Sequence, residues 1–181
     1  MAGLIIMSHA LTKAQKQGIF PGNDELDSAL IVPDQFKAAT CAITLSANFK
    51  PAILTAQKLG LEAKVDFNLP VFDYGSFRGR ALKQLAKDEA ENLQKWLNDP
   101  YSSPHGGTSF KDIYDKTALW LEDFSGFSQS TLVITDPNFL RMVMLVVLQA
   151  PISSFANLDI ASLSTLTLSR RHKNWIVCLG G

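Results

Sequence analysis

An α/β fold with a mostly parallel central sheet is what this sequence predicts, and three observations carry the prediction. Short continuous apolar runs recur at residues 4–7 ("LIIM"), 40–46 ("TCAITLS") and 130–135 ("STLVIT"). Runs of this kind mark strands buried on both faces. Segments with helical apolar spacing alternate with the later ones, as expected when helices cover a parallel sheet. Functional groups in such folds gather at the carboxyl ends of strands. His9 and Asp136 each stand one or two residues past such an end.

Taken in order, the first strand covers residues 4–7 and runs into Ser8 and His9. A Gly- and Asp-containing loop follows, "QGIFPGNDELD". The second strand is read at 40–46 from its β-branched content. "KPAILTAQKLG" reads as a helix that Pro51 opens and Gly60 stops. "AKVDFNL" is a short third strand. From Ala81 to Asn98 the spacing predicts one helix, with Leu82, Leu85, Ala86, Leu93, Trp96 and Leu97 on one side. "DPYSSPHGG" is a loop. Ser109, with Asp112 three residues on, predicts a capping box at the start of the next helix. That helix carries Phe110, Ile113, Tyr114, Thr117, Leu121 and Phe124 on one face. Asp136-Pro137 follows the 130–135 strand and opens an apolar helix through Leu148. Two strand-like runs, "LSTLTLS" and "NWIVCLG", close the chain around the basic turn "RRHK".

The 181 residues suffice for one domain, taken as residues 1–181. Charges balance at a formal net of zero, so no global field draws the chain to nucleic acid or to an anionic membrane. Cys41 and Cys178 sit in apolar runs without CxxC or His at ligand spacing. They read as small buried hydrophobes in a reducing compartment. "MAGLIIM" lacks the basic start of a signal peptide, and "MVMLVVLQAP" falls far short of the ~20 residues of a membrane span. The expectation is a cytoplasmic protein.

Five segments, in order, carry a resemblance to the histidine phosphatase superfamily, the phosphoglycerate-mutase-like proteins. "IIMSHALT" resembles the family's "RHGxT" strand end. "TAQKLGL" is similar to its "QTAEALGL" helix, "FDYGSFRGR" to its "DYGxWxGR" turn, "PHGGTSF" to "PGGES", and "LVITDPNFLR" to "VVTHxxxIR". The resemblance covers nearly the whole chain and departs most around residues 28–40. It implies a three-layer α/β/α sandwich. It also implies a phosphoryl transfer to histidine followed by hydrolysis, with two arginines and a second histidine holding the phosphate and a carboxyl group protonating the leaving group. No metal or other cofactor is implied.

Carried over residue by residue, the nucleophile position is His9. Thr12 matches the family hydroxyl, and Gln15 stands where asparagine is common. The arginine before the nucleophile is Ser8, and the second arginine falls on Pro51, with Lys50 beside it. The proton-donor position holds Val71, and the second histidine is replaced by Asp136. Ser8 and Pro51 remove two forked cations suited to phosphate oxygens. A carboxylate about 4 Å from one negative charge costs roughly 4 kcal/mol at an effective dielectric of 20. Pro137 lacks the backbone N–H that helix starts offer to anions.

The expectation is therefore a histidine-phosphatase-type protein without efficient phosphatase activity, binding a ligand or a partner through a remodelled pocket. The alternative is a weak or altered phosphomonoesterase that forms a phosphohistidine on His9. The candidate catalytic positions are His9 and Asp136, and the candidate substrate contacts are Thr12, Gln15 and Lys50. His9 also admits a plain reading as a strand-end histidine bonded to its neighbours, and Asp136-Pro137 as a helix start. An Asp136–His9 contact would form a proton-handling pair. Asp73, Arg78 and Arg80 read as parts of a turn that needs Gly75 and Gly79, and His105 as a solvated loop histidine. A small phosphorylated ligand or a protein partner is the expected occupant, with the oligomeric state left open.

Overall fold

The computed structural model describes residues 3–22, 24–28, 41–124 and 129–178. The departure from the family pattern at residues 29–40, and the outer ends of the runs at Thr40 and Leu179, lie outside the described residues.

Among the described residues, six strands form one sheet in the order β3-β2-β4-β1-β5-β6. They are β1 (Leu4–Ser8), β2 (Ile43–Ala47), β3 (Lys64–Asp66), β4 (Thr131–Thr135), β5 (Thr165–Arg171) and β6 (Asn174–Cys178). The first four run parallel, and β5 and β6 add an antiparallel hairpin beyond β1. This is the central sheet flanked by helices that the sequence predicts. The two middle strands, β1 and β4, hold Ile6, Val133 and Ile134 fully buried. Their unbroken apolar runs follow from burial on both faces. The hairpin turn at 170–173 is exposed, as read from "RRHK".

The helices are α1 (Lys13–Lys16), α2 (Lys50–Lys58), α3 (Leu82–Asp88), α4 (Ala90–Asn98), α5 (Phe110–Asp123) and α6 (Pro137–Leu148). Local signals set most of their ends. Pro51 lies in the first turn of α2. Ser109 and Asp112 close a reciprocal capping box on α5. Asp136 caps α6 ahead of Pro137.

The single helix expected over 81–98 is two. Glu89 leaves helical geometry at φ −137°, ψ 41°, and its carboxylate is taken by Arg80. Leu85, Leu93 and Trp96 are buried, whereas Leu82 and Leu97 are about half exposed (48% and 50%) instead of joining the core.

Among the described residues, the buried apolar side chains form two clusters. One fills the space around the sheet and includes Ile6, Val133, Trp120, Phe139 and Val143. The other lies among α3, α4, α5 and α6 and is rich in rings, with Phe72, Tyr74, Phe77, Trp96 and Phe110. Cys41 and Cys178 are free thiols, half-buried instead of fully buried. Among the described residues, no helix is long and apolar enough to cross a membrane.

Candidate functional site

Parallel pairing of β1 with β4 sets Ser8 beside Thr135. The next residue of each strand, His9 and Asp136, therefore emerges at the same end of the sheet, side by side. The His9 N–H donates to the Thr135 carbonyl at 2.7 Å, which locks the two strand ends together. Both side chains are buried, at 2% and 5% exposure.

His9 is held on two sides. Its Nδ1 lies 2.7 Å from the Ala10 carbonyl. That oxygen can only accept, so Nδ1 carries the hydrogen and Nε2 is the basic nitrogen of the neutral ring. The ring meets Phe49 edge-on at 5.4 Å. Thr55 Oγ1 accepts the Ala10 N–H at 2.9 Å and donates to the Pro51 carbonyl at 2.7 Å. Thr55 of α2 thus braces the loop after His9.

Asp136 accepts the Asn138 N–H at 2.6 Å as helix cap. Burial raises its carboxyl pKa above the ordinary aspartate value. The charge of His9, the capping amide and Arg141 each oppose that rise. The network continues outward. Asn138 donates from Nδ2 to the Tyr74 hydroxyl at 2.8 Å and accepts from Arg141 at 3.0 Å. Burial, and then the Asp136 charge, push the Tyr74 phenol well above its ordinary range.

The remaining sequence candidates are used locally. Thr12 and Gln15 cap α1 for each other, with the Gln15 N–H on Thr12 Oγ1 and the Thr12 N–H on Gln15 Oε1, both at 3.1 Å. Gln15 also faces the cavity described below. Lys50 pairs with Glu25, which holds that carboxyl below the ordinary glutamate range. Lys16 pairs with Asp27 at 2.8 Å. Ser8 Oγ donates to the Ala161 carbonyl at 2.7 Å and accepts the Ser164 N–H at 3.0 Å, so its hydroxyl anchors the turn before β5. Pro51 is buried and Val71 packs against the main cluster.

Asp73 bonds Arg78 at 2.9 Å and the Gly75 N–H at 3.0 Å, the structural role read from "DYGSFRGR". Gly75 has φ +47°, and a Cβ there would lie 2.0 Å from the His105 carbonyl. His105 is not the solvated loop residue expected. It is 4% exposed and stacks on Phe77 at 4.9 Å. Burial lowers its pKa. The close approach of the 73–75 and 105–107 backbones draws it in, a contact that sequence spacing does not express.

Beside Asp136 opens a cavity of about 790 Å³. Its walls come from Phe20, Tyr74, Trp96, Phe110 and Phe155, with Arg141 and Asp159 at its edge. Arg141 reaches Asp159 at 3.4 Å and lies over the Phe155 ring at 5.2 Å. These wall residues were not singled out from sequence as a site. The available signal was Arg141, which shares a face of α6 with Asn138. The half-exposed Leu82 and Leu97 also line the cavity. Among the described residues, no group of three or more His, Cys, Asp or Glu could hold a metal ion.

A family model described as the histidine phosphatase superfamily (branch 1) matches residues 4–179. The bifunctional protein Rv2228c of Mycobacterium tuberculosis is 28% identical over 131 residues, covering 70% of this chain and 36% of its own length. The chain thus spans little more than a third of the curated relatives it matches. The phosphoserine phosphatase of Entamoeba histolytica, solved in complex with 3-phosphoglyceric acid, has a TM-score of 0.82 at 20% identity, covering 98% of this chain and 95% of that one. The mycobacterial glucosyl-3-phosphoglycerate phosphatase Rv2419c, solved with VO3, has a TM-score of 0.79 at 16% identity, covering 99% of both. At these identities the structural likeness is one of fold.

Proposed function

This chain belongs to the histidine phosphatase superfamily, and we propose that within it the chain is a binding module without efficient phosphoryl transfer. The observation that carries this reading is Asp136. A buried carboxylate caps α6 beside His9, at the position where the family resemblance calls for a second histidine. A phosphoryl group on His9 would be repelled there instead of clamped. Three further features support the reading. The Ser8 hydroxyl is spent on the 161–164 turn, Pro51 is buried in the first turn of α2, and Val71 is half-buried against the sheet cluster. Lys16 and Lys50 are ion-paired with Asp27 and Glu25. Losing one preorganised donor typically costs about 100- to 1,000-fold in rate, and losses within one site do not simply add.

A second reading rests on the His9 ring. With Nδ1 held by the Ala10 carbonyl, Nε2 is oriented for attack on phosphorus, and Asp136, its pKa raised by burial, would be the proton donor. Hydrolysis of an aryl phosphate by wild type and His9→Ala separates the two. The binding-module reading expects equal, near-background rates. Turnover well above background that disappears in His9→Ala would establish the weak phosphatase instead.

A further inference from the structure

We propose that the cavity beside Asp136 takes a carboxylate carried on a flat aromatic or apolar body, with the carboxylate on Arg141. This names the ligand class for the binding-module reading and rests on it. The walls supply the apolar part. Phe20 meets Tyr74 at 5.4 Å and Trp96 at 5.8 Å, Trp96 stacks on Phe110 at 4.8 Å, and Phe110 meets Phe155 at 4.8 Å. Leu82 and Leu97 line the same cavity half exposed, and an apolar body would cover them. The volume of about 790 Å³ is that of a small-molecule site.

Arg141 decides the polar part. It is the one cation among the described residues that line the cavity. A guanidinium offers its N–H donors in a planar fork. Nη1 donates to Asn138 at 3.0 Å and Nη2 to Asp159 at 3.4 Å. Nε is buried and, among the described residues, has no hydrogen-bond partner. Asp159 is fully exposed, so water screens that pair and it contributes little. The Phe155 ring lies 5.2 Å from the guanidinium and seats its charge against the aromatic wall. A planar carboxylate entering along that wall draws the fork off Asp159 and accepts from Nε and Nη2 side by side, the bidentate geometry that suits a guanidinium. A buried donor left unpaired is costly, and this exchange removes the cost. Asp136 calls for no cation in the cavity. Burial favours its protonated form, and His9, the Asn138 amide, Arg141 and the Phe139 amide answer its charge. A phosphoryl group on His9 would sit against Asp136, whereas a carboxylate on Arg141 meets a cation first.

Calorimetric titration of the whole chain with 3-phenylpropionate, with its neutral counterpart 3-phenylpropanamide, with 2-phenylethylamine and with inorganic phosphate tests the proposal. The carboxylate is expected to bind with a Kd of roughly 1 mM or tighter, and the other probes at least about tenfold more weakly. Arg141→Gln should weaken 3-phenylpropionate about tenfold and leave the amide unchanged. Asp159→Asn, at an exposed position, frees the guanidinium and should tighten 3-phenylpropionate about threefold. That variant keeps the test decisive if Arg141→Gln fails to fold. No binding of 3-phenylpropionate up to about 10 mM, equal affinity for the acid and the amide, tighter binding of the amine or of phosphate, or no gain in Asp159→Asn would each overturn the proposal. Those results would leave the binding-module reading standing. His9-dependent turnover of an aryl phosphate would instead overturn that reading, so the two failures are distinguishable.

Discussion

Asp136 does two things at once, and they pull in opposite directions. As a helix cap it satisfies the Asn138 N–H. As a buried carboxylate it carries a desolvation cost that raises its pKa. The folded protein therefore holds this proton to higher pH than the unfolded chain does. The stability linked to it is fully present below the ordinary aspartate range and is lost as pH rises through the folded value. Asparagine keeps the cap and removes the titration. The stability of Asp136→Asn relative to wild type should therefore increase from about pH 4 to about pH 7. Urea denaturation at several pH values measures this, and a flat difference across that range would mean that the carboxyl titrates as it does in the unfolded chain. Asp136→Ala loses the cap as well and should be about 1 kcal/mol less stable than Asp136→Asn.

At the scale of elements, the sequence is legible where a boundary is written in neighbouring residues. Ser109 and Asp112 announce the start of α5 because both halves of the capping box lie within one turn. Ser109→Ala should accordingly cost about 1 kcal/mol. Thermal or urea unfolding reads it, and no loss would mean that the box contributes nothing beyond packing. The break between α3 and α4 is not written locally. Ala81 to Asn98 has helical spacing throughout, and the interruption depends on Arg80 reaching Glu89 and on Leu93 and Trp96 entering the ring-rich cluster. The site divides in the same way. His9 and Asp136 are legible because parallel strands place their successors together whatever surrounds them. The cavity is not, because Phe20, Trp96 and Phe155 come from three distant segments that meet only after α4 and α6 have docked. His105 fails for the same reason, since its burial comes from a backbone approach across more than thirty residues.

For the molecule as a whole, the question is whether its two apolar clusters form one cooperative unit. Helix α6 gives Phe139, Leu140 and Val143 to the cluster around the sheet and Met142 and Leu145 to the ring-rich cluster. Successive buried residues of one helix thus belong to both, and neither cluster can lose α6 without opening the other. The tryptophans report the two separately. Trp96 lies in the ring-rich cluster, and Trp120 lies in the sheet cluster with its indole N–H on Asp66 at 3.1 Å. In a Trp120→Phe, Trp175→Phe background Trp96 is the reporter, and in a Trp96→Phe, Trp175→Phe background Trp120 is. Met142 is fully buried, and Met142→Ala should cost about 2–5 kcal/mol. With an m-value of roughly 2–3 kcal/mol/M, the urea midpoint should fall by about 1 M or more. If α6 couples the clusters, both reporters move by the same amount, although Met142 contributes to only one of them. A shift at Trp96 alone, with the Trp120 midpoint unchanged, would mean that the roof over the cavity opens independently of the sheet. The wall that holds Trp96 and Phe110 would then be free to part without unfolding the strand ends that carry His9 and Asp136.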